Sequence, residues 1–89
     1  MLTIVRKSRF KKDFKKLQSS GKDLQKLADV ILLLAHGEEL PERNRDHALI
    51  GDYVDHRECH ISPDWLLIYQ TSESDLLLVR TGSHSELFN

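Results

Sequence analysis

The chain has a single cysteine, Cys59, so no internal disulfide can form and a cytoplasmic setting is the simplest expectation. Long apolar runs are missing too. The longest, Val30 to Ala35, is six residues, where a bilayer-spanning helix needs about 20. The opening MLTIVRKSRF lacks the apolar stretch and small-residue cleavage site of a signal peptide. No membrane role is expected. Net charge is almost absent, at −1, although 30% of residues are charged and 39% hydrophobic, a balance that suits a soluble globular chain. Repeats and low-complexity segments are absent as well. With 89 residues, one domain over 1–89 is expected. A chain this size buries roughly 60–65% of its unfolded surface, enough for one modest core. There is no room for a separate substrate domain or a large cofactor fold.

The small net charge hides an uneven distribution. Residues 1–16 carry seven basic residues against Asp13, a balance of +6, and the remainder carries six basic and thirteen acidic residues, a balance of −7. Most such runs are solvated helix faces. A basic patch at one end is also the footprint that meets phosphate, and Lys11, Lys12, Lys15 and Lys16 are the candidates for weak phosphate contacts.

Hydrophobic periodicity sets out the elements. Leu2 to Val5 reads as a short strand. Ser8 is placed to cap a helix over Arg9 to Ser19, with Phe10, Phe14 and Leu17 on one stripe and Gly21 as its stop. Asp23 caps a second helix, from Leu24 to Ala35, which is apolar enough to be largely buried and ends at Gly37. The short break makes the two an antiparallel pair. A long polar connection, Glu38 to Asp55, carries Pro41, Gly51 and His47. Three strands follow, His56 to Ile61, Trp65 to Thr71 and Leu76 to Thr81, separated by turns at Ser62-Pro63-Asp64 and Ser72 to Asp75. Ser83 to Phe88 forms a tail with room for one helical turn. The order strand-helix-helix-strand-strand-strand predicts an α+β fold. Its helical hairpin packs on one face of a small, mostly antiparallel sheet, and the opposite face stays open for a site.

Alternation along the first of the three later strands turns Arg57, Cys59 and Ile61 inward and His56, Glu58 and His60 to the open face. Arg80 interrupts an apolar strand, and a guanidinium there needs a partner or a purpose. His84 follows it closely, Asp64 and Trp65 adjoin His60 across a tight turn, and Asp46-His47 arrives from the long connection. Such a set suits RNA cleavage through the RNA's own 2′-hydroxyl. That reaction needs a base for the 2′-OH proton, an acid for the leaving 5′-oxygen and a cation for the charge on phosphorus. Histidine serves as acid or base near neutral pH, arginine grips phosphate with a fixed fork, and Trp65 and Phe88 are expected to stack on or position a base. Trp65, rather than Tyr53, is expected to border the groove. No metal and no cofactor are expected. His56 and His60 share an ion only on a helix, since on a strand they stand about 13 Å apart. Cys59 turns into the core, away from any role as nucleophile.

Three segments carry a family resemblance: DHAL at 46–49, RECHISPDWLLIY at 57–69 and RTGSHSELF at 80–88. With these the chain resembles the YafQ family of toxins, within the wider RelE/ParE superfamily of bacterial toxin–antitoxin systems. The resemblance spans the whole chain. It implies an mRNA endoribonuclease that works on translating 70S ribosomes, cutting in the A-site codon. It also implies a cognate antitoxin that neutralises it, in a heterotetramer, and no DNA binding by the toxin alone. Carried over by position, the functional histidines are His47, His60 and His84, the aspartate is Asp64, the phosphate-contacting arginine is Arg80, and the aromatic positions are Trp65 and Phe88. His84 is then the leading candidate for the general acid, with Asp64 or His60 as base and His47 holding the phosphate or tuning a partner. The rival readings are a ParE-like toxin that binds DNA gyrase without a nuclease site, and an inactive relic that only binds its antitoxin.

Overall fold

The computed structural model describes residues 1–88. Strand β1 (Thr3–Arg6) leads into helices α1 (Ser8–Ser20) and α2 (Leu24–Ala35). A long connection then carries a two-residue strand, β2 (His47–Ala48), flanked by single 3₁₀ turns. Strands β3 (Arg57–Ser62), β4 (Trp65–Thr71) and β5 (Asp75–Gly82) and a final helix, α3 (His84–Phe88), complete the chain. The sheet order is β1-β5-β4-β3-β2. β1 runs parallel to β5, and the other neighbours are antiparallel. The chain therefore has the expected α+β architecture, with one strand more than the hydrophobic pattern reveals. Two residues are too few for an alternation to register, so β2 reads as loop.

Helix ends follow local chemistry. Asp23 accepts the Gln25 N–H at 3.0 Å, as an N-cap should. Ser8 does not cap α1. It is the first helical residue, and the cap position belongs to Lys7, whose side chain makes no capping bond. At the end of α2, Gly37 turns left-handed (φ +74). Its N–H donates to the Leu34 carbonyl and that of Glu38 to the Leu33 carbonyl, both at 3.0 Å, which closes the helix in a Schellman motif.

The main core lies between the helices and one sheet face. Phe10 and Leu17 of α1 and Leu27, Val30 and Leu34 of α2 meet Cys59, Trp65, Leu67, Tyr69, Leu76 and Leu78. α2 is less completely buried than its apolar content predicts, with Leu32 47% exposed. On the other face Leu66 and Ile68 of β4 are covered by Leu87 of α3, with Leu49 and Tyr53 from the connection packed around them. β4 is thus buried on both sides, and the far face is only partly open.

One irregularity decides where the site lies. In β5, Leu78 pairs with Tyr69 but Arg80 pairs with Ile68, so Val79 is an extra residue in a β-bulge. Strict alternation from Leu76 and Leu78 would send Arg80 into the helix-side core. The bulge resets the phase and places Arg80 opposite Ile68, on the far face.

Candidate active site

The site grows from the row His47–Glu58–Ile68–Arg80, one residue each from β2, β3, β4 and β5 in register. The next row is His60–Leu66–Gly82, and α3 starts two residues beyond Gly82.

His47 is held from several sides. Asn44, buried in the turn before it, donates to the His60 carbonyl at 2.7 Å. Asp46 accepts from the Tyr69 hydroxyl at 2.6 Å and from Arg57 Nε at 3.2 Å, which fastens the connection to the sheet edge. Burial and then the bond to Asp46 raise the Tyr69 pKa. Arg45 takes a left-handed φ of 46, an uncommon conformation for a non-glycine residue, and its carbonyl lies 2.6 Å from His47 Nδ1. His47 Nε2 lies 3.1 Å from Glu58 Oε2. Both ring nitrogens therefore face acceptors. Both contacts are hydrogen bonds only when the ring carries two protons or Glu58 carries one.

Glu58 is 3% exposed. Its Oε2 lies between His47 and His60, whose Nε2 is 3.9 Å away. Its Oε1 is buried without a hydrogen-bond partner among the described residues. The oxygen that faces the two imidazoles is Oε2, so the carboxylate's interactions are directed to one side. Alternation puts Glu58 on the site face but assigns it no task. The available signal is a glutamate two residues before His60 on the same face of a strand.

Arg80 faces the same side, 9% exposed, and its partner comes from α1. Arg80 Nε donates to Asp13 Oδ2 at 2.7 Å and Nη2 to Oδ1 at 3.1 Å. β1 ends at Arg6 opposite Leu78, so the edge of β5 is free beyond it. There Asp13 also accepts the Thr81 N–H at 3.1 Å. The bond to Asp13 raises the guanidinium's pKa further, against the opposing effect of burial. Asp13 is a second residue that sequence reasoning misses. Its signal is a carboxylate between Phe10 and Leu17 on the buried stripe, matched by the lone arginine of β5.

α3 is built by a capping box. The Ser83 N–H donates to Glu86 Oε1 at 2.8 Å and the Glu86 N–H to Ser83 Oγ at 3.3 Å. The bond from the Ser83 N–H holds the Glu86 carboxyl below its ordinary pKa. Gly82 (φ +155) makes the tight entry possible, since a Cβ there would meet Glu86 Oε1 at 3.1 Å. Asp64 Oδ1 accepts the backbone N–H of His84 at 3.2 Å, so the turn between β3 and β4 is tied to the start of α3. Leu87 anchors the helix, and the exposed His84 ring rests on Phe88, centroids 5.2 Å apart. Phe88 in turn meets Tyr53 edge-on at 5.9 Å, and Tyr53 meets His56 at 5.5 Å.

Trp65 requires a correction. It is 2% exposed and points into the helix-side core. Its Nε1–H donates to Thr81 Oγ1 at 3.0 Å, and Thr81 donates onward to the Leu66 carbonyl at 2.8 Å. Its position beside Asp64 misleads, because Asp64 belongs to the β3–β4 turn whereas Trp65 opens β4 on its helix-side face. Trp65 does not stack on a substrate base. Tyr53, expected outside the groove, borders it with Phe88 and Arg80. Lys11, Lys12, Lys15 and Lys16 lie exposed on α1. Among the described residues no group of three or more His, Cys, Asp or Glu side chains is arranged to hold a metal ion, and no helix is long and apolar enough to cross a membrane. Cys59 is fully buried, as alternation requires.

A family model described as "Bacterial toxin of type II toxin-antitoxin system, YafQ" matches residues 2–89. The chain is 39% identical over 80 residues to the mRNA interferase toxin YafQ of Escherichia coli K12, covering 89% of this chain and 87% of that protein. Among solved structures, a copper-bound L66S mutant toxin from Helicobacter pylori superposes with a TM-score of 0.95 at 48% identity, over 99% of this chain and all of the other. The toxin chain of the E. coli DinJ–YafQ complex superposes with a TM-score of 0.92 at 36% identity, over the full length of both chains.

Proposed function

The chain belongs to the YafQ family of type II toxin–antitoxin toxins, which makes it an mRNA interferase, and on that premise we propose that it cuts messenger RNA in the ribosomal A site through the RNA's own 2′-hydroxyl. The observation that carries this reading is the cross-strand row that sets the Glu58 carboxylate between two imidazoles in line with a guanidinium held on two nitrogens, with His84 beginning α3 two residues beyond the end of the next row.

His60 is the general base. With Glu58 3.9 Å from its Nε2, the imidazolium formed by taking the 2′-OH proton gains a neighbouring negative charge. His47 shares that carboxylate and, with its other ring nitrogen against the Arg45 carbonyl, serves as a positioning residue that fixes Glu58 beside His60. His84 is the general acid for the leaving 5′-oxygen. Two strand spacings separate His60 from Gly82, roughly 10 Å, so His60 and His84 can flank a ribose and its phosphodiester. Arg80 supports the charge that builds on phosphorus through the donors that Asp13 leaves free. Asp64 is a positioning residue that ties His84 to the β3–β4 turn. Phe88 places a base beside His84. No metal enters the chemistry.

The same proposal includes the partners. An antitoxin neutralises the toxin, as the similarity to a toxin solved with DinJ supports, and on our reading the two assemble as a heterotetramer. The exposed lysines of α1 meet ribosomal RNA, and the protein works in the cytoplasm, without binding DNA alone and within the RelE/ParE superfamily.

The test is to map new RNA ends on an mRNA, free and on stalled ribosomes. The expected result is cutting at A-site codons on ribosomes, lost with His84→Ala or His60→Ala in variants that still bind antitoxin. Cutting by His84→Ala at the normal rate would remove it as the acid. Toxicity in cells without any cutting would favour a gyrase-type binder.

A further inference from the structure

β3 runs on past the point where its outer partner stops. His47 and Ala48 of β2 pair with Glu58 and Arg57, and one step further the Leu49 N–H donates to the His56 carbonyl at 2.9 Å. Bonded and non-bonded pairs alternate along an antiparallel ladder. Leu49 with His56 and His47 with Glu58 are thus bonded pairs, and the next in this register is Arg45 with His60. The chain leaves the ladder there. Arg45 turns left-handed, with φ 46 and ψ 48, and its N–H closes a 3₁₀ turn on the Glu42 carbonyl at 2.9 Å. The ladder therefore has no backbone donor for the His60 carbonyl, a group that needs one when shielded from water.

Asn44 supplies the donor. Its Nδ2 reaches the His60 carbonyl at 2.7 Å, from a residue that is only 5% exposed. A side-chain amide, one residue earlier, thus stands where the Arg45 N–H would have been. The exchange lets the backbone turn at Arg45, and that turn sets the Arg45 carbonyl 2.6 Å from His47 Nδ1. A left-handed non-glycine residue persists only where its surroundings hold it, and Asn44 is the adjoining anchor. One buried bond therefore ties down both the backbone of His60 and the turn that aims His47 at Glu58. The two rings approach the same oxygen, Glu58 Oε2, at 3.9 and 3.1 Å. Their shared geometry depends on how the turn and the end of β3 are joined.

We propose that Asn44 is a positioning residue for the cleavage reaction: standing in for the missing rung of the β2–β3 ladder, it holds His60 and His47 against one oxygen of Glu58. The proposal rests on the reading of His60 as the base. Asn44 acts through the two histidines, so its loss is felt in turnover rather than in substrate binding. A displacement of the base by as little as about 1 Å is enough for a large loss of rate.

Two variants test this. Asn44→Leu keeps the bulk and removes the donor, and Asn44→Ala removes both. Each is assayed on ribosome-bound mRNA well below its melting temperature, with antitoxin binding as the check on folding. kcat is expected to fall roughly tenfold or more, with KM changed by no more than about twofold. In a Glu58→Gln background the carboxylate that the histidines share is gone, and Asn44→Leu is expected to lower kcat by no more than about twofold further. General loosening of the fold would lower it equally in both backgrounds. The ring resonances of His47 and His60 give a readout without cleavage. Both are expected to shift in Asn44→Leu while the Trp65 indole N–H stays in place. Those shifts in a protein whose wild type does not cut would keep the positioning role and remove the proposed reaction. Rings that do not move, kcat within about twofold of wild type in both variants, or an undiminished loss in the Glu58→Gln background would overturn the proposal.

Discussion

Replacing Asp13 by Asn tests whether the site rests on one buried ion pair. The Asp13 carboxylate takes three hydrogen bonds, two from Arg80 at 2.7 and 3.1 Å and one from the Thr81 N–H at 3.1 Å. Both side chains are 11% exposed, so water does little to replace the lost partner. Asn keeps the shape but removes the charge and turns an N–H₂ toward a donor. Breaking a buried pair from one side costs about 3–5 kcal/mol. That is a large fraction of the roughly 5–15 kcal/mol that holds a domain folded. At about 4–8 °C per kcal/mol for a chain of this size, even the lower figure lowers Tm by roughly 12–24 °C. Thermal melts by circular dichroism measure it directly. Cleavage is then assayed well below both melting points, where kcat is expected to fall because Arg80 no longer has a fixed orientation. Replacing both partners, Asp13→Leu with Arg80→Met, is expected to recover much of the stability while leaving cleavage absent. An Asp13→Asn protein that melts within about 2 °C of wild type, or that cuts at the wild-type rate, would refute the reasoning.

Two further outcomes follow from burial. Trp65→Ala removes a core side chain and is expected to cost about 3–5 kcal/mol, with activity lost in step with folding, whereas Tyr53→Ala is expected to leave the melt nearly intact and weaken substrate use. Equal losses of stability in the two variants would contradict the placement of Trp65. Cys59 is fully buried, and burial first, then the Asp46 and Glu58 carboxylates, push its thiol up to about 12. An aromatic disulfide reagent at mildly alkaline pH is therefore expected to label it only after denaturant is added, and prompt labelling of the native protein would count against the buried strand.

What the sequence discloses and what it hides divide along physical lines. Phe10 and Leu17 at helical spacing, Asp23 at a cap and the alternation through Cys59 are local signals, and each element they mark is present. His60, His84 and Arg80 likewise stand out in the sequence as candidates for chemistry, because charged or titratable groups are conspicuous in short strands and tight tails. The losses are long-range or depend on register. Asp13 and Arg80 are 67 positions apart, and no local rule joins them. The bulge at Val79 changes which way Arg80 points without changing composition. β4 is apolar on both faces, so its pattern could not say whether Trp65 or Leu66 looks toward the helices. Glu58 was on the correct face, but the two histidines that give it meaning come together only when β2 pairs with β3.

The central claim, acid–base cleavage through the 2′-hydroxyl by His60 and His84, is tested most directly by the chemistry of the cut ends. The expected result is a 2′,3′-cyclic phosphate or its opened form on one fragment and a 5′-hydroxyl on the other, with no cut when the scissile nucleotide is 2′-deoxy. A 5′-phosphate end, or normal cutting of the 2′-deoxy substrate, would contradict it.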